Sequence, residues 1–556
     1  MLRPRPELLL TLLALTCFSC GGGGHRPDAP GGGSDEPGAD TLVFARQSDS
    51  ESLISVVYQS ASDNDLIVNM FESLTDSSFD CRLEHPPGLA ERYEHPEDGL
   101  SITYHLRKDA VWSDGTPITA ADVAFTYDLI ADPAVASPRI SYTEKMLPDA
   151  RPRVLDDHTV RFEFTQAYDR QTQMSHTGMA IVPKHALEKY DRASLRGTDF
   201  EKDPVVSGPW KLHSWEKGQA IVLTPNDEYF GQKPTLRRVI FKTVPEYAAR
   251  VIELEGNTVD MIESFQTVDD IAAMKKNNPE IEMYRRGWRF MDYVGWNLRN
   301  PLFQDKQVRQ ALTLAIDRDK IINDLLTTQD GEKLGKVAVS WITPELCDYE
   351  SQNLKPFPYD LEKAKQMLDA RGWTDSDGDG VRDKNGKPFR FVLLTNTGNQ
   401  RRAKASIIIQ ANLKAVGVEA QLQSVESNNF FERLRKKDYE AALAGWSAGL
   451  FVDPTELWHS DTPDHTYEFN FTSYSNPRAD ELIERGMATP DLEAVAPIWQ
   501  ELQEVIYDDQ PYTFLYWRDE VVGLHQRVRD PQINILSTFK GLNDWWVPSS
   551  EVKFSH

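Results

Sequence analysis

Two stretches of the chain alternate predicted strands with predicted helices, and this alternation decides the fold class. In the first stretch, strands are predicted at 239–243, 259–262 and 281–284, with helices between them at 246–255 and 269–276. In the second stretch, strands are predicted at 389–395, 418–423 and 441–446, with helices between them at 403–416 and 428–437. Strands that alternate with helices indicate parallel βαβ units. The sequence therefore predicts two α/β lobes.

The segment 76–203 does not follow this alternation. Its apolar and β-branched runs at 102–106 and 159–164 predict strands of a mixed or antiparallel sheet, and 120–130 predicts a helix. We interpret the segment as an inserted third α+β domain. Lobe 1 is then assigned to 41–75, 204–295 and 520–556, and lobe 2 to 296–519. A strand at 291–297 is expected to leave lobe 1, and one amphipathic helix at 308–326 is expected to open lobe 2.

The first twenty residues predict export. Arg3 and Arg5 precede an apolar stretch at 8–16, which is too short for the ~20 residues of a membrane-spanning helix. A short apolar run behind positive charges is typical of a signal peptide.

The residues CFSCGGGG that follow (17–24) place small neighbours around Cys20 and resemble the bacterial lipobox, whose cysteine carries the lipid. We predict a lipoprotein signal peptide over 1–20 and a flexible tether over 21–40. Cys17 is the alternative lipid site, and an ordinary signal peptide with incidental cysteines is the other interpretation.

The charge and composition of the chain indicate a soluble folded protein that does not bind nucleic acid. The 556 residues contain 61 Lys and Arg against 86 Asp and Glu, a net charge of −25, and no basic run is long enough to bind nucleic acid. The apolar fraction of 40% is that of a soluble folded protein.

Cys81 and Cys347 are the two cysteines beyond the tether. They could form a disulfide in an oxidising compartment, but their spacing does not decide it.

Four motifs occur in order along the chain. They are LRKDAVWSDGTPITAADV (106–123), VSGPWKL (206–212), VRQALTLAIDR (308–318) and AGW (444–446) followed by Asp453-Pro454. Taken together they resemble the bacterial extracellular solute-binding proteins of family 5, the peptide- and nickel-binding components of ABC importers. We interpret the first motif as a strand, a turn and a helix capped by Thr119, which define the fold and do not contact the ligand.

The resemblance implies a fold like that of type II periplasmic binding proteins, with two α/β lobes, a hinge and an inserted α+β domain. It also implies a receptor that closes around an oligopeptide or dipeptide and delivers it to a membrane permease. We expect a monomer, anchored by its lipid at the periplasmic or extracellular face of a membrane.

Ligands of open α/β sheets bind beyond the carboxyl ends of the strands. In lobe 2 these ends fall at 395–401 and 446–453. Asn396, Asn399 and Arg401 are predicted polar contacts, because amides and a helix N-terminus suit a carboxylate or carbonyl group. The alternative is that they cap the helix.

Trp446, Ser447 and Asp453 are the predicted ligand contacts at the other strand end. In peptide-binding members of the family an aspartate closely follows this tryptophan and pairs with the ligand's amino group, whereas here Ala448-Gly449-Leu450 occupy that place. Asp453 could substitute, although an Asp-Pro step is more often a turn. Trp296 and Trp545 are predicted to add an apolar wall, with burial in the core as the alternative.

The acidic turn at 375–383 has carboxylates at positions 1, 3, 5 and 9 of a calcium loop: Asp375, Asp377, Asp379 and Asp383. Position 12 is Gly386 where a bidentate glutamate is usual. Calcium binding is one interpretation, and a solvated acidic turn is the other.

The sequence has no phosphate loop and no zinc-binding His-Glu-x-x-His. It matches the Gly-x-Ser-x-Gly pattern once, at 445–449, but no predicted helix follows the match directly, as a nucleophile elbow requires. Catalysis is therefore not expected. Three alternatives stay open. One is a receptor for a nickel chelate, an opine or an oligosaccharide, another is a secreted hydrolase, and the third is a chaperone-like or signalling receptor with no permease.

Overall fold

A computed structural model describes residues 37–38, 40–147, 151–463, 465–467 and 469–553. The predicted signal peptide and both candidate lipid sites, Cys17 and Cys20, lie outside these residues. None of the helices among the described residues is long and apolar enough to span a bilayer.

The first sheet belongs to lobe 1 and has seven strands. In order across the sheet they are Ile281–Arg285, Val521–His525, Met261–Ile262, Thr41–Arg46, Arg238–Thr243, Ala220–Pro225 and Trp210–Glu216. The two predicted helices between its strands are present as Tyr247–Glu255 and Val268–Asn277. The helix Ala61–Met70 begins at a capping box formed by Ser60 and Asp63.

Strand pairing in the first sheet differs from the expected run of parallel neighbours. Arg238–Thr243 and Met261–Ile262 do not pair with each other, because Thr41–Arg46 lies between them and is parallel to both. Ile281–Arg285 pairs antiparallel with Val521–His525. Distant parts of the chain therefore complete the sheet, which the local pattern did not reveal.

The second sheet has six strands and belongs to lobe 2. In order they are Gly335–Val337, Tyr512–Arg518, Phe290–Trp296, Ala441–Ser447, Arg390–Asn396 and Glu419–Val425. Arg390–Asn396 is parallel to both of its neighbours, as predicted. Phe290–Trp296 lies inside this sheet and pairs antiparallel on both sides. The predicted boundary at residue 296 is therefore wrong, and the chain changes lobes at 286–289.

The helices of lobe 2 begin where polar caps occur. The single helix expected at 308–326 is two helices, Lys306–Ala315 and Arg318–Leu325, because Ile316 is extended and Asp317 caps the second helix. Asp360 caps Leu361–Ala370, as predicted. The remaining α-helices of the lobe are Gln400–Lys414, Ser427–Arg435, Thr455–Trp458, Pro477–Met487 and Leu492–Asp509.

A third sheet, antiparallel throughout, lies within 76–203. Its order is Ala90–Glu94, Ser101–Leu106, Thr159–Glu163 and Arg153–Asp156. The helix Ala120–Ala131 begins at the predicted Thr119, which forms a capping box with Asp122. The other α-helices here are Arg170–Thr177 and Lys184–Leu187.

Short elements complete the fold. Three two-stranded ladders pair Ser78–Asp80 with Arg82–Glu84, Asp383–Lys384 with Lys387–Pro388, and Pro37–Gly38 with Val547–Pro548. Single 3₁₀ turns occur at Ile140–Tyr142, Arg192–Ser194, Asp199–Lys202, Pro301–Phe303, Leu542–Asp544 and Ser549–Glu551.

Among the described residues, the chain passes between the first and second sheets at two places, 286–289 and 519–520. The two passages are held side by side, because the Arg286 amide donates to the Glu520 carbonyl (3.0 Å) and the Gly287 amide donates to the Asp519 carboxylate (2.8 Å). They form the hinge between the lobes.

A disulfide joins Cys81 to Cys347, with 5.0 Å between the two Cα atoms. Cys81 is the tip of the hairpin formed by Ser78–Asp80 and Arg82–Glu84, and Cys347 belongs to lobe 2. The sequence left this pairing open, because 266 residues separate the two cysteines. The disulfide is a third covalent connection between the two halves of the molecule.

Candidate functional site

A cavity of about 580 Å³ lies between the two lobes, next to the hinge. The strands Thr41–Arg46 and Met261–Ile262 of lobe 1 end at it, and so does Ala441–Ser447 of lobe 2. This is the position that the carboxyl ends of α/β strands favour for a ligand. We call it the interlobe cavity. Its polar lining includes Arg46, Gln47, Ser48, Asn64, Asp65, Arg250, Glu263, Ser264, Arg286, Arg289, Ser447, Glu520 and Ser537.

Arg286 neutralises two of the acids in the interlobe cavity. Its Nη1 lies 2.8 Å from Glu520 Oε2 and 3.6 Å from Glu263 Oε1. Glu263 also accepts a hydrogen bond from the Thr538 hydroxyl (3.0 Å). Burial raises the pKa of Glu263, and Arg286 opposes that rise.

Asp65 lies on the helix Ala61–Met70 and also lines the interlobe cavity. Among the residues that the structure describes, none donates a hydrogen bond to its carboxylate or forms an ion pair with it. Burial raises the pKa of Asp65 well above its usual range, and the neighbouring charge of Glu263 adds to the rise. The cavity therefore contains one acid without a partner.

The side chains of Ser447 and Trp446 lie on opposite faces of their strand, because neighbouring side chains of a strand alternate between its faces. Ser447 is exposed and lines the interlobe cavity. The Trp446 ring stacks on Phe471 with 5.3 Å between centroids, and its Nε1 donates to the Tyr512 hydroxyl (3.4 Å). Of these two predicted contacts, the structure places Ser447 at the cavity and Trp446 in an aromatic cluster beside it.

Asp453 pairs with a cation of the protein itself. The Lys145 ammonium donates to Asp453 Oδ2 over 2.8 Å, and the Thr455 amide donates to Oδ1 over 3.1 Å. Burial favours the neutral acid, but the charge of Lys145 and the hydrogen bonds from Lys145 and Thr455 together outweigh it, so the pKa of Asp453 lies below its ordinary value. A cation of the inserted segment therefore balances the charge of Asp453. This ion pair spans the two halves of the molecule.

Asn396, Asn399 and Arg401 belong to one polar network in lobe 2. Asn399 accepts from the Arg402 amide (3.0 Å) and caps Gln400–Lys414, which was the alternative interpretation. Asn396 accepts from Arg402 Nη1 (3.1 Å). Arg401 Nη2 lies 3.2 Å from Asp292 Oδ2. A ligand role for these three side chains stays a prediction.

Trp296 and Trp545 lie in the cores and not at the interlobe cavity, so their predicted place in its wall is wrong. Both side chains are fully buried. Trp296 Nε1 donates to Thr513 Oγ1 (3.1 Å), and Trp545 stacks near Phe539 with 6.5 Å between centroids. Trp296 lies in a strand of the second sheet and Trp545 follows the 3₁₀ turn Leu542–Asp544, and the tertiary packing buries both side chains.

The acidic turn brings three of the four predicted carboxylates together. Asp375, Asp377 and Asp379 are exposed and offer oxygens within 4.8 Å of one another. Asp383 faces Ser376 instead and accepts from its amide (2.9 Å) and hydroxyl (2.6 Å). Calcium binding at this turn stays a prediction.

The sequence patterns did not identify Asp65, Glu263, Arg286 or Glu520 as residues of the cavity. They come from separate segments and share no local pattern. Applying the carboxyl-end rule to lobe 1 as well as lobe 2 would have identified Gln47 and Glu263, because each follows a strand of that lobe.

Comparison with known proteins agrees with this architecture. The family model of bacterial extracellular solute-binding proteins, family 5, matches residues 84–468. The oligopeptide-binding protein AppA of Bacillus subtilis (strain 168) is 31% identical over 553 residues, which cover 97% of this chain and 97% of that protein.

Two solved structures share the fold. AppA from Bacillus subtilis in complex with a nonapeptide has a TM-score of 0.73 at 29% identity, and the match covers 92% of this chain and 100% of that one. NikZ from Campylobacter jejuni in complex with Ni(L-His) has a TM-score of 0.73 at 22% identity, with the same coverage. The predicted type II periplasmic-binding-protein fold is thereby confirmed, and the chain belongs to family 5 of the bacterial extracellular solute-binding proteins.

Proposed function

We propose that this protein binds short peptides in the interlobe cavity and delivers them to the permease of an ABC importer. The observation that carries the proposal is the cavity itself, which lies at the carboxyl ends of strands from both lobes and beside a two-strand hinge. Closing two lobes about a hinge buries a ligand and changes the surface that a partner contacts.

The size and chemistry of the interlobe cavity suit a peptide. Its volume of about 580 Å³ is within the range of roughly 300–1,000 Å³ usual for small-ligand sites. Its lining combines hydroxyls, carboxylates and guanidinium groups, which match the amide, ammonium and carboxylate groups of a peptide. The names of the relatives AppA and OppA, both oligopeptide-binding proteins, support the same ligand class.

The test is the ligand that the protein carries. Mature protein purified under mild conditions is analysed by native mass spectrometry, and the released ligand is sequenced. We expect peptides of a few residues. An oligosaccharide or a nickel chelate in their place, with no peptide retained after incubation with a peptide mixture, would overturn the proposal in favour of a different solute.

We also propose that the mature protein is held at the membrane by a lipid on Cys20. The predicted tether, 21–40, is shortened to 21–36, because Pro37–Gly38 pairs with Val547–Pro548. The residues around Cys20 support the lipid site, because Ser19 and Gly21 are small. Cys20→Ser should move the protein from the membrane fraction to the soluble fraction, and the matched control Cys17→Ser should leave it membrane-bound. The reverse result would assign the lipid to Cys17.

A further inference from the structure

The Cys81–Cys347 disulfide anchors the tip of a small hairpin to lobe 2. Within the described part of the chain, the ladder of Ser78–Asp80 with Arg82–Glu84 is a sheet of its own and joins none of the three larger sheets. A two-stranded hairpin by itself is only marginally stable in water. Cys81 also has a φ of +59°, a left-handed backbone conformation that is strained for a residue with a side chain. We therefore expect the hairpin to depend on the disulfide for its order.

The non-covalent contacts beside the disulfide are weaker. The ion pair Arg82–Asp348 (3.2 Å) has both side chains more than a third exposed, and such pairs contribute little to stability. Gln171 connects the two sides, because its Nε2 donates to the Leu83 carbonyl (3.0 Å) and its Oε1 accepts from the Tyr349 hydroxyl (3.2 Å). If the disulfide is broken, contacts of this kind have to hold the hairpin against lobe 2.

The disulfide is accessible to a reductant, since Cys347 is exposed and Cys81 is partly exposed. A dithiol can reduce it by thiol–disulfide exchange. One thiolate of the dithiol attacks a sulfur of the bond and forms a mixed disulfide, and the second thiol of the dithiol then releases the protein. Two electrons and two protons pass to the protein, which gains two cysteine thiols, and the dithiol is oxidised to a disulfide.

Cys347 follows a turn that packs on the hinge. The Trp288 amide donates to Glu345 Oε1 (3.1 Å), and the Thr343 hydroxyl donates to the Trp288 carbonyl. Trp288 belongs to the passage 286–289 between the lobes. The lobe 2 end of the disulfide is therefore two residues away from a direct contact with the hinge.

The hairpin end of the disulfide lies near a loop of the interlobe cavity. Leu83 lines a second cavity, of about 310 Å³, and Phe451 of lobe 2 lines the same cavity. Phe451 belongs to the loop that follows Ser447, and Ser447 lines the interlobe cavity. Movement of the hairpin therefore changes the surroundings of this loop. The disulfide lies between the hinge on one side and a ligand-binding loop on the other.

We propose that the Cys81–Cys347 disulfide is a redox switch of ligand affinity, with high affinity in the oxidised protein and lower affinity after reduction by a dithiol. The switch rests on the proposed peptide-binding function. In the oxidised protein, the disulfide orders the hairpin and the turn 343–347 before the ligand arrives. In the reduced protein the ligand has to order them itself, and this conformational entropy weakens binding. We expect an affinity loss of about tenfold, within the usual range of coupling between two sites.

The first test compares the affinity of the two redox states. Mature protein, oxidised or kept in excess dithiothreitol, is dialysed to equilibrium against a pool of random tetrapeptides without Cys, and bound peptide is quantified by mass spectrometry. Alkylation followed by intact mass counts the two thiols gained, and circular dichroism establishes that both states are folded. We expect the apparent Kd to rise about tenfold on reduction.

The double variant Cys81→Ser with Cys347→Ser is the matched control. It should bind as weakly as the reduced wild type, with or without dithiothreitol. Equal affinities of the oxidised and reduced wild type would overturn the switch while peptide binding stands. If neither redox state binds the pool, the proposed function fails as well.

The second test uses the reciprocity of coupled equilibria. If the oxidised protein binds peptide tenfold more tightly, bound peptide must favour the disulfide by the same factor. The fraction of oxidised protein is titrated in dithiothreitol redox buffers, with and without a saturating concentration of the tetrapeptide pool. We expect the midpoint potential to be about 30 mV more negative with peptide, which is a tenfold change for a two-electron couple. An unchanged midpoint would show that the disulfide and the ligand site are independent.

Discussion

A buried network of charged residues around Asp292 connects a helix of lobe 2 to the second sheet. Asp292, in the strand Phe290–Trp296, is buried between two cations, with Arg402 Nη2 at 2.9 Å and Arg401 Nη2 at 3.2 Å. The Tyr516 hydroxyl donates to the same carboxylate (2.7 Å). Burial alone would raise the pKa of Asp292, but the charges of Arg402 and Arg401 outweigh it and hold the pKa well below its usual range. The network ties the helix Gln400–Lys414 to the sheet.

Asp292→Asn should destabilise the protein on the order of 3 kcal/mol, because two largely buried guanidinium groups lose their counter-charge. Urea unfolding at neutral pH measures the loss. Glu362→Gln is the control, since it removes an exposed ion pair with Lys365 and should change the free energy of unfolding by less than about 0.5 kcal/mol. Equal effects of the two changes would contradict this account of the network.

The lowered pKa of Asp292 also predicts a pH dependence. Below the unfolded-state pKa of about 3.9, the unfolded chain binds a proton that the folded protein does not. The contribution of Asp292 to stability is therefore fully present above that pH and is lost as the pH falls below it. We expect the wild type to lose stability more steeply than Asp292→Asn in urea titrations between about pH 5 and pH 3. Parallel losses would show that Asp292 is not ionised in the folded state.

At the scale of elements, two neighbouring strands approach so closely that the AGW motif has no room for a side chain at its glycine. Gly445 lies in the strand Ala441–Ser447, beside Phe290–Trp296. A Cβ atom there would lie 2.6 Å from the Met291 carbonyl oxygen and would also meet the side chains of Asp292 and Arg402. The backbone and an ion pair therefore occupy the space of a side chain.

Gly445→Ala should cost about 2 kcal/mol of stability, the scale of overpacking in a tight interior. Thermal and urea unfolding followed by circular dichroism provide the measurement. Gly449→Ala is the matched control, because its nearest atom, the Phe451 carbonyl oxygen, is 3.1 Å away and belongs to a loop. We expect a loss below about 1 kcal/mol for the control. A Gly445→Ala protein as stable as wild type would show that this strand pair can move apart.

At the scale of the whole molecule, one covalent and several non-covalent connections join the two halves away from the hinge. The disulfide links Cys81 to Cys347. The non-covalent connections include the ion pairs Lys145–Asp453 (2.8 Å) and Arg82–Asp348 (3.2 Å) and the hydrogen bond from the Tyr349 hydroxyl to Gln171 Oε1 (3.2 Å). These non-covalent connections can break and re-form as a ligand enters. The disulfide cannot, so it limits how far the lobes separate.

The double change Cys81→Ser with Cys347→Ser should let the ligand-free protein open further. We expect small-angle X-ray scattering to show a larger radius of gyration for the ligand-free variant than for oxidised wild type. The stability of the variant should fall by roughly 2–5 kcal/mol, because the disulfide restrains a long loop in the unfolded chain. Glu362→Gln, which keeps the disulfide and lies in none of these connections, is the control and should stay as compact as wild type. Identical scattering from both ligand-free proteins would show that the disulfide does not limit opening.

Local sequence patterns were sufficient for most elements. The strands and helices of both predicted α/β stretches, the caps at Thr119 and Asp360 and the antiparallel segment at 102–164 follow from periodicity and capping, which act over a few residues. The prediction of a single helix at 308–326 is wrong, because the Asp317 side chain caps a second helix.

The sequence by itself determined the two-lobed α/β class, through patterns that are local, and the family, through motifs spread along the chain. Only the tertiary structure decided which strands are neighbours, that Phe290–Trp296 lies in the second sheet, and that Cys81 meets Cys347. It alone placed Trp296 and Trp545 in the cores and gathered Asp65, Glu263, Arg286 and Glu520 around one cavity. The reason is that periodicity and caps record contacts within a few residues, whereas a binding cavity is formed by side chains hundreds of residues apart, whose proximity the packing of the lobes determines.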